Sequence, residues 1–202
     1  MMRPNDPLNS ARPPQQREFR ELAWWRGYLI DNPVRRIFHK PEKMLAPFIV
    51  PGMTVMDVGC GMGCFAVPMA RMVGEAGRVV AVEVQQEKLD VVMRRAARAG
   101  VASRISPVKC ASDDLKAPGG VDFALAFYLV HEIPDPPRLL LQIHACLKPG
   151  GTLLIAEPSF EVNPRQFDET IALATSFGFT PVGQPKFCVS RTVLLAAESP
   201  AS

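Results

Sequence analysis

From Thr54 onward the chain alternates between short, almost wholly apolar runs and segments whose apolar residues recur every three or four positions. The runs Thr54–Val58, Val79–Val84, Arg104–Cys110, Val121–Phe127 and Thr152–Ala156 predict strands, and Val121–Phe127 is apolar enough to be covered on both faces. The second kind predicts helices. Residues 63–73 read as one, stopped by Gly74, with Pro68 in its first turns. Gln86–Ala99 places Leu89, Val92, Met93 and Ala96 on one side and its arginines largely on the other, and Gly100 ends it. Asp135 is positioned to cap a helix that opens on Pro136-Pro137, runs past Leu140, Ile143, His144 and Leu147, and stops before Pro149-Gly150-Gly151. Residues 166–177 supply a last helix.

Strand–helix alternation implies a parallel sheet with helices on both faces, an α/β doubly wound architecture. Lys186–Ser190 and Thr192–Ala197 are also strand-like, but too little chain separates them for a crossover helix. They are expected to pair antiparallel, as a hairpin at one sheet edge. Before this body, residues 1–16 are rich in proline and asparagine, residues 17–30 carry a helical pattern, Asp31-Asn32-Pro33 breaks it, and a second helix extends to about Phe48, interrupted near Pro41. The expected division is a leader and helical cap over 1–50 and one domain over 51–198.

Charge refines this division. Residues 1–43 hold nine Lys/Arg and five Asp/Glu, whereas the remainder holds 14 and 15. A balanced body argues against a dedicated nucleic-acid surface, and only the leader is basic. No apolar stretch is long enough to span a membrane and no signal core opens the chain, so a cytoplasmic protein is expected. Five cysteines, an odd number without a CxxC pair, fit reduced, buried thiols and no metal site.

The chemistry concentrates in Asp57-Val58-Gly59-Cys60-Gly61-Met62-Gly63. A buried strand delivers the chain into a loop with glycine at alternate positions, at the carboxyl edge where open α/β sheets bind ligands. Cys64 stands where a dinucleotide fingerprint of the GxGxxG kind needs its third glycine. Asp57, two residues before the first glycine, is unfavourable for an anion but suits a ligand with an ammonium group. Glu83, 20 residues after Gly63 at the end of the next strand, is placed to accept hydrogen bonds from both hydroxyls of a ribose.

These residues, together with Val121-Asp122-Phe123 and Leu147-Lys148-Pro149-Gly150-Gly151-Thr152-Leu153-Leu154-Ile155, resemble the class I S-adenosylmethionine-dependent methyltransferase family. The last segment is most similar to a small-molecule branch that includes ubiquinone/menaquinone-biosynthesis-like enzymes. The resemblance implies a Rossmann-like fold, S-adenosylmethionine as cofactor and S-adenosylhomocysteine as product. It implies that Asp57, Gly59, Cys60, Gly61 and Gly63 hold the methionine part, Glu83 the ribose, and Val84 an adenine face, with Phe127 lining the site. Cys110-Ala111-Ser112-Asp113 would edge the adenine. This segment departs from the family pattern, because Ala111 stands at the usual acidic position, and Ser112 or Asp113 would have to serve instead.

Methyl transfer from a sulfonium is an in-line displacement with a neutral leaving group, so alignment in a dry site supplies most of the rate, and a base is needed only if the acceptor must lose a proton. Tyr128 and His131, after the fourth strand, and Glu157, ending the fifth, are the candidates facing the acceptor, with His131 the best base. Trp24, Trp25, Tyr28 and His39 in the leader are candidate anchors or acceptor walls. The acceptor is expected to be a small molecule and the protein a monomer or homodimer. A catalytically silent cofactor-binding protein and an NAD(P)-dependent oxidoreductase are the alternatives.

Overall fold

The computed structural model describes residues 40–198. The helix expected over 17–30 lies outside them, as do Trp24, Trp25, Tyr28 and His39.

Seven strands form one sheet: β1 (Thr54–Val58), β2 (Arg78–Glu83), β3 (Ile105–Lys109), β4 (Val121–Phe127), β5 (Leu147–Pro158), β6 (Phe179–Gly183) and β7 (Ser190–Ala197). Their spatial order is β3-β2-β1-β4-β5-β7-β6. The first five run parallel, and β7 inserts antiparallel between β5 and β6. Among the described residues five α-helices accompany them: α1 (Pro41–Leu45), α2 (Ala66–Met72), α3 (Gln86–Arg98), α4 (Pro136–Cys146) and α5 (Pro164–Ser176).

Alternation along each strand divides the core in two. Met56, Val58, Val80, Ala124, Leu153 and Ile155 face α4 and α5, while Val55, Val79, Ala81, Phe123, Leu125 and Leu154 face α1, α2 and α3. Both faces of β1 and β4 are therefore buried, which explains why their sequences are nearly unbroken apolar runs. The expected cap of α4 is present, with Asp135 accepting from the Arg138 amide at 3.1 Å. A full capping box opens α5, Asn163 and Gln166 each accepting the other's backbone amide at 3.0 Å.

Three expectations need correction. The helix before Pro149-Gly150-Gly151 ends at Cys146, and Leu147 already pairs with Val121 in β5. The ladder then slips, because Phe123 pairs with Thr152, so Lys148–Gly151 bulge out of the sheet. Gly151 is required there: a Cβ would lie 2.9 Å from the Lys148 carbonyl and 3.0 Å from that of Val121. The C-terminal hairpin is antiparallel at the sheet edge, but its first strand is Phe179–Gly183 rather than Lys186–Ser190, which is mostly loop. Phe179 is fully buried and sets the register of that strand, whereas 186–190 carries no buried residue. Finally, β2 ends at Glu83, leaving Val84 in the loop. No helix among the described residues is long and apolar enough to cross a membrane.

Candidate active site

The carboxyl ends of β1 and β2 and the loop between β1 and α2 make the first half of the site. Asp57 shares the face of Val55, the face on which α2 begins, so its side chain is carried under the first turn of that helix. It is 2% exposed, receives a hydrogen bond from the Ala66 amide, and its Oδ2 is buried without a hydrogen-bond partner among the described residues. Burial, more than the nearby Glu83 charge, pushes its pKa from 3.8 up to about 7, against the Ala66 bond that favours the anion. An orphaned carboxylate oxygen in so dry a place is a vacant acceptor, and a cation there would restore its charge.

The three glycines of the loop have different reasons to be glycine. All have positive φ, at 68° (Gly59), 53° (Gly61) and 84° (Gly63). A Cβ on Gly59 would meet Leu129 Cδ1 at 2.7 Å, and one on Gly63 would press on Val92 of α3 at 3.3 Å. A Cβ on Gly61 would meet nothing within 4 Å. The first and third glycines therefore serve packing, and the second presents bare backbone to open space, where a ligand can approach closely.

Glu83 joins the two strand ends. It is 6% exposed, its Oε2 accepts from the Gly61 amide at 3.1 Å, and its Oε1 accepts from the Val84 and Gln85 amides at 3.0 and 3.2 Å. Lys88 Nζ approaches to 3.7 Å. The carboxylate is fixed by main chain, and Oε2, with a single amide partner, keeps acceptor capacity for a hydroxyl. Cys60 is buried beside Asp57 and Glu83, and burial holds its thiol well above 9.0. A thiol so protonated is a packing group and not a nucleophile.

The segment after β3 is anchored from behind. Gln142 of α4 accepts from the Leu115 amide at 2.7 Å and donates to the Asp113 carbonyl at 2.8 Å. The Cys110 amide donates to the Glu83 carbonyl at 3.1 Å, so the segment begins against the ribose position. Asp113 turns its carboxylate outward, where Arg138 lies at 3.3 Å, and Ser112 is exposed. Of that segment, Cys110 and Ala111 are the half-buried residues nearest Glu83. No disulfide joins the five cysteines; Cys60 and Cys146 are buried, Cys64 and Cys110 half-buried, and Cys188 exposed, so thiol burial is only partial.

The second half lies at the carboxyl ends of β4 and β5. Glu157, 1% exposed, accepts from the Val130 amide at 2.8 Å through Oε1, and its Oε2 pairs with His131 Nδ1. His131 Nε2 lies 3.1 Å from Glu161 and 4.0 Å from Glu132. The Glu157 hydrogen bond raises the His131 pKa above 6.5, against the effect of burial, and the other carboxylates add to the rise. Burial raises Glu132 in turn. Tyr128 has φ of 56°, a left-handed conformation that a tyrosine rarely adopts, fixed by its amide bond to the Ala156 carbonyl at 2.7 Å. Its hydroxyl lies 2.8 Å from the Ser190 hydroxyl, at the start of β7. Phe127 stacks between Phe65 and Tyr128, with centroids at 4.5 and 4.3 Å.

The structure thus gathers Asp57, Gly59, Gly61, Gly63 and Glu83 at one end, and Tyr128, His131 and Glu157 at the other. Sequence reasoning missed Leu129, Glu161 and Ser190. Only Glu161 had a signal, being an acid just beyond the Pro158 strand end; the other two reach the site through tertiary packing.

The residues fit S-adenosylmethionine. Its ammonium group matches the vacant Asp57 oxygen, its backbone-hugging chain matches the open face of Gly61, and its ribose matches Glu83. Comparison with known proteins agrees. A family described as "Methyltransferase domain" matches residues 21–179. The ubiquinone/menaquinone biosynthesis C-methyltransferase of Vibrio vulnificus is 27% identical over 122 residues, covering 58% of this chain and 47% of that protein. The ubiquinone biosynthesis O-methyltransferase of Xanthomonas campestris is 31% identical over 129 residues, covering 62% and 49%. The chain thus spans about half the length of these curated relatives. A solved S-adenosylmethionine-dependent methyltransferase from Aquifex aeolicus is 25% identical with a TM-score of 0.75, covering 87% of this chain and 100% of that one. The chain belongs to the methyltransferase-domain family.

Proposed function

We propose that this protein methylates a small molecule held over the carboxyl ends of β4 and β5, with Asp57 and Glu83 gripping the cofactor and the His131–Glu157 pair facing the acceptor. The cofactor supplies an electrophilic methyl group on a sulfonium. Asp57 takes its ammonium group, Glu83 its ribose hydroxyls, and Gly61 the close backbone approach between them. Val84 and Phe127 complete the adenine and methionine surroundings expected from the sequence, with Cys110 and Ala111 at the adenine edge in place of the exposed Ser112 and the outward-turned Asp113.

The acceptor half is suited to removing a proton. Glu157 fixes Nδ1 of His131 and leaves Nε2 as the working atom. Glu161, half-exposed at the end of a flexible side chain, holds Nε2 until an acceptor hydroxyl or acidic C–H displaces it. The raised pKa of the imidazole makes it a stronger base than a free histidine, active on the high-pH side of that pKa. Tyr128 orients the acceptor, held by its strained backbone and Ser190. A small acceptor is favoured by the even charge of the described residues, with 16 Lys/Arg and 16 Asp/Glu over 40–198.

The orphaned Asp57 oxygen beside the open face of Gly61 carries this reading. The test is incubation with methyl-labelled S-adenosylmethionine and a fractionated metabolite extract. Label is expected in a low-molecular-mass product that disappears in His131→Asn. Label recovered only in protein or nucleic acid would refute the small-molecule reading.

A further inference from the structure

Away from the cofactor site, α1 and the loop between β6 and β7 enclose a groove of about 460 Å³. Its apolar surface includes Met44, Phe48 and Phe187, and its rim carries Lys40, Lys43 and Lys186. No acidic residue lines it, and none of the three lysines has an ion-pair partner among the described residues. The acid nearest in sequence, Glu42, points elsewhere, to Arg71 at 3.7 Å. Phe48 is held rigidly, stacked on the buried Phe123 at 5.9 Å with the rings 2° from parallel.

We propose that this groove binds a small aromatic carboxylate, its ring lying against Phe48 and Phe187 and its anionic group between Lys43 and Lys186. Three lysines lining a groove with an apolar floor leave both a charge and a hydrophobic surface unmatched, and one amphiphilic anion satisfies both. The volume suits a small molecule. The loop that supplies Lys186 and Phe187 runs into Ser190 at the start of β7, which bonds the Tyr128 hydroxyl, so one stretch of chain connects the groove to the acceptor end of the active site. None of the cofactor-holding residues lines the groove, so this inference stands or falls apart from the methyl-transfer reading.

The test uses the full chain and two probes of equal shape, 2-naphthoate and 2-naphthalenemethanol, followed by ligand-observed NMR. The carboxylate is expected to bind at least fivefold more tightly than the alcohol, with the advantage shrinking several-fold between 50 and 500 mM salt. In Lys43→Gln/Lys186→Gln the advantage is expected to vanish while S-adenosylmethionine affinity is unchanged; both lysines are exposed, so the fold is retained. Equal binding of the two probes, no binding of either, or a naphthoate affinity unaltered by the double substitution would overturn the proposal.

Discussion

The two ends of the active site are built by different means. At the cofactor end, function rests on backbone: Gly61 exposes it, and the Gly61, Val84 and Gln85 amides fix the Glu83 carboxylate within 3.0–3.2 Å. At the proposed acceptor end, the site is assembled from side chains brought from separate segments: His131 from the turn after β4, Glu157 from β5, Glu161 from the loop beyond, and Ser190 from the start of β7. The first construction fixes one ligand shape. The second can be retuned by exchanging single side chains, which is how one fold serves many acceptors.

This contrast predicts separable defects. His131→Asn should leave S-adenosylmethionine affinity intact and lower kcat by about 10²–10⁴-fold if its base role is correct; single-turnover kinetics with the identified acceptor would measure it. Wild-type turnover would reduce His131 to a packing residue and blur the contrast. A companion effect follows from its raised pKa. The imidazolium contributes stability fully below 6.5, and that contribution fades as pH rises through the raised value, so the unliganded wild type should lose stability with pH in that window relative to His131→Asn.

At the cofactor end, Glu83→Gln should weaken S-adenosylmethionine binding by about 10–30-fold, the loss expected when a charged acceptor becomes neutral. The remaining amide oxygen keeps part of the loop contact, so the fold should survive; calorimetry and thermal melting read both. Gly61→Ala should weaken binding by about tenfold and cost about 1–2 kcal/mol of stability, because alanine resists a φ of 53° and its methyl enters the space left for the ligand.

The smallest effect is the most discriminating for electrostatics. A carboxylate whose pKa is raised by folding contributes stability below its ordinary 3.8, and that contribution is lost as pH rises through about 7. Asp57→Asn keeps an acceptor for the Ala66 amide and removes the buried charge. At pH 8 it should therefore raise the stability of the unliganded protein by about 1 kcal/mol, while damaging cofactor binding. A melting temperature below that of the wild type would contradict this.

The sequence was more legible at the cofactor end for the same reason that end is rigid. A backbone-built site needs its residues at fixed spacings, so Asp57, the glycines and Glu83 announce themselves in order. Strand burial was equally legible, since β1 and β4 are nearly unbroken apolar runs. The hairpin was misplaced because 186–190 is as apolar as a strand, and only the fit of Phe179 into the core decides that 179–183 pairs instead. Likewise Leu147 looked helical until its pairing with Val121 drew it into the sheet. Glu161 and Ser190 meet His131 and Tyr128 from 30 and 62 residues away, and no local pattern encodes such meetings.

The central claim is that Asp57 receives the cofactor's ammonium group. It is tested most directly by calorimetric titration of wild type and Asp57→Asn with S-adenosylmethionine between pH 5.5 and 7.5, where an α-amino group of pKa about 7.7–8.0 is still mostly protonated. The wild type should bind more tightly as pH rises, by up to tenfold per unit well below pH 7 and levelling above it, with a proton released on binding at low pH. Asp57→Asn should bind about 30-fold or more weakly at pH 7.5 and show a flat profile. A wild-type affinity independent of pH, or an Asp57→Asn variant that binds as the wild type does, would contradict the account.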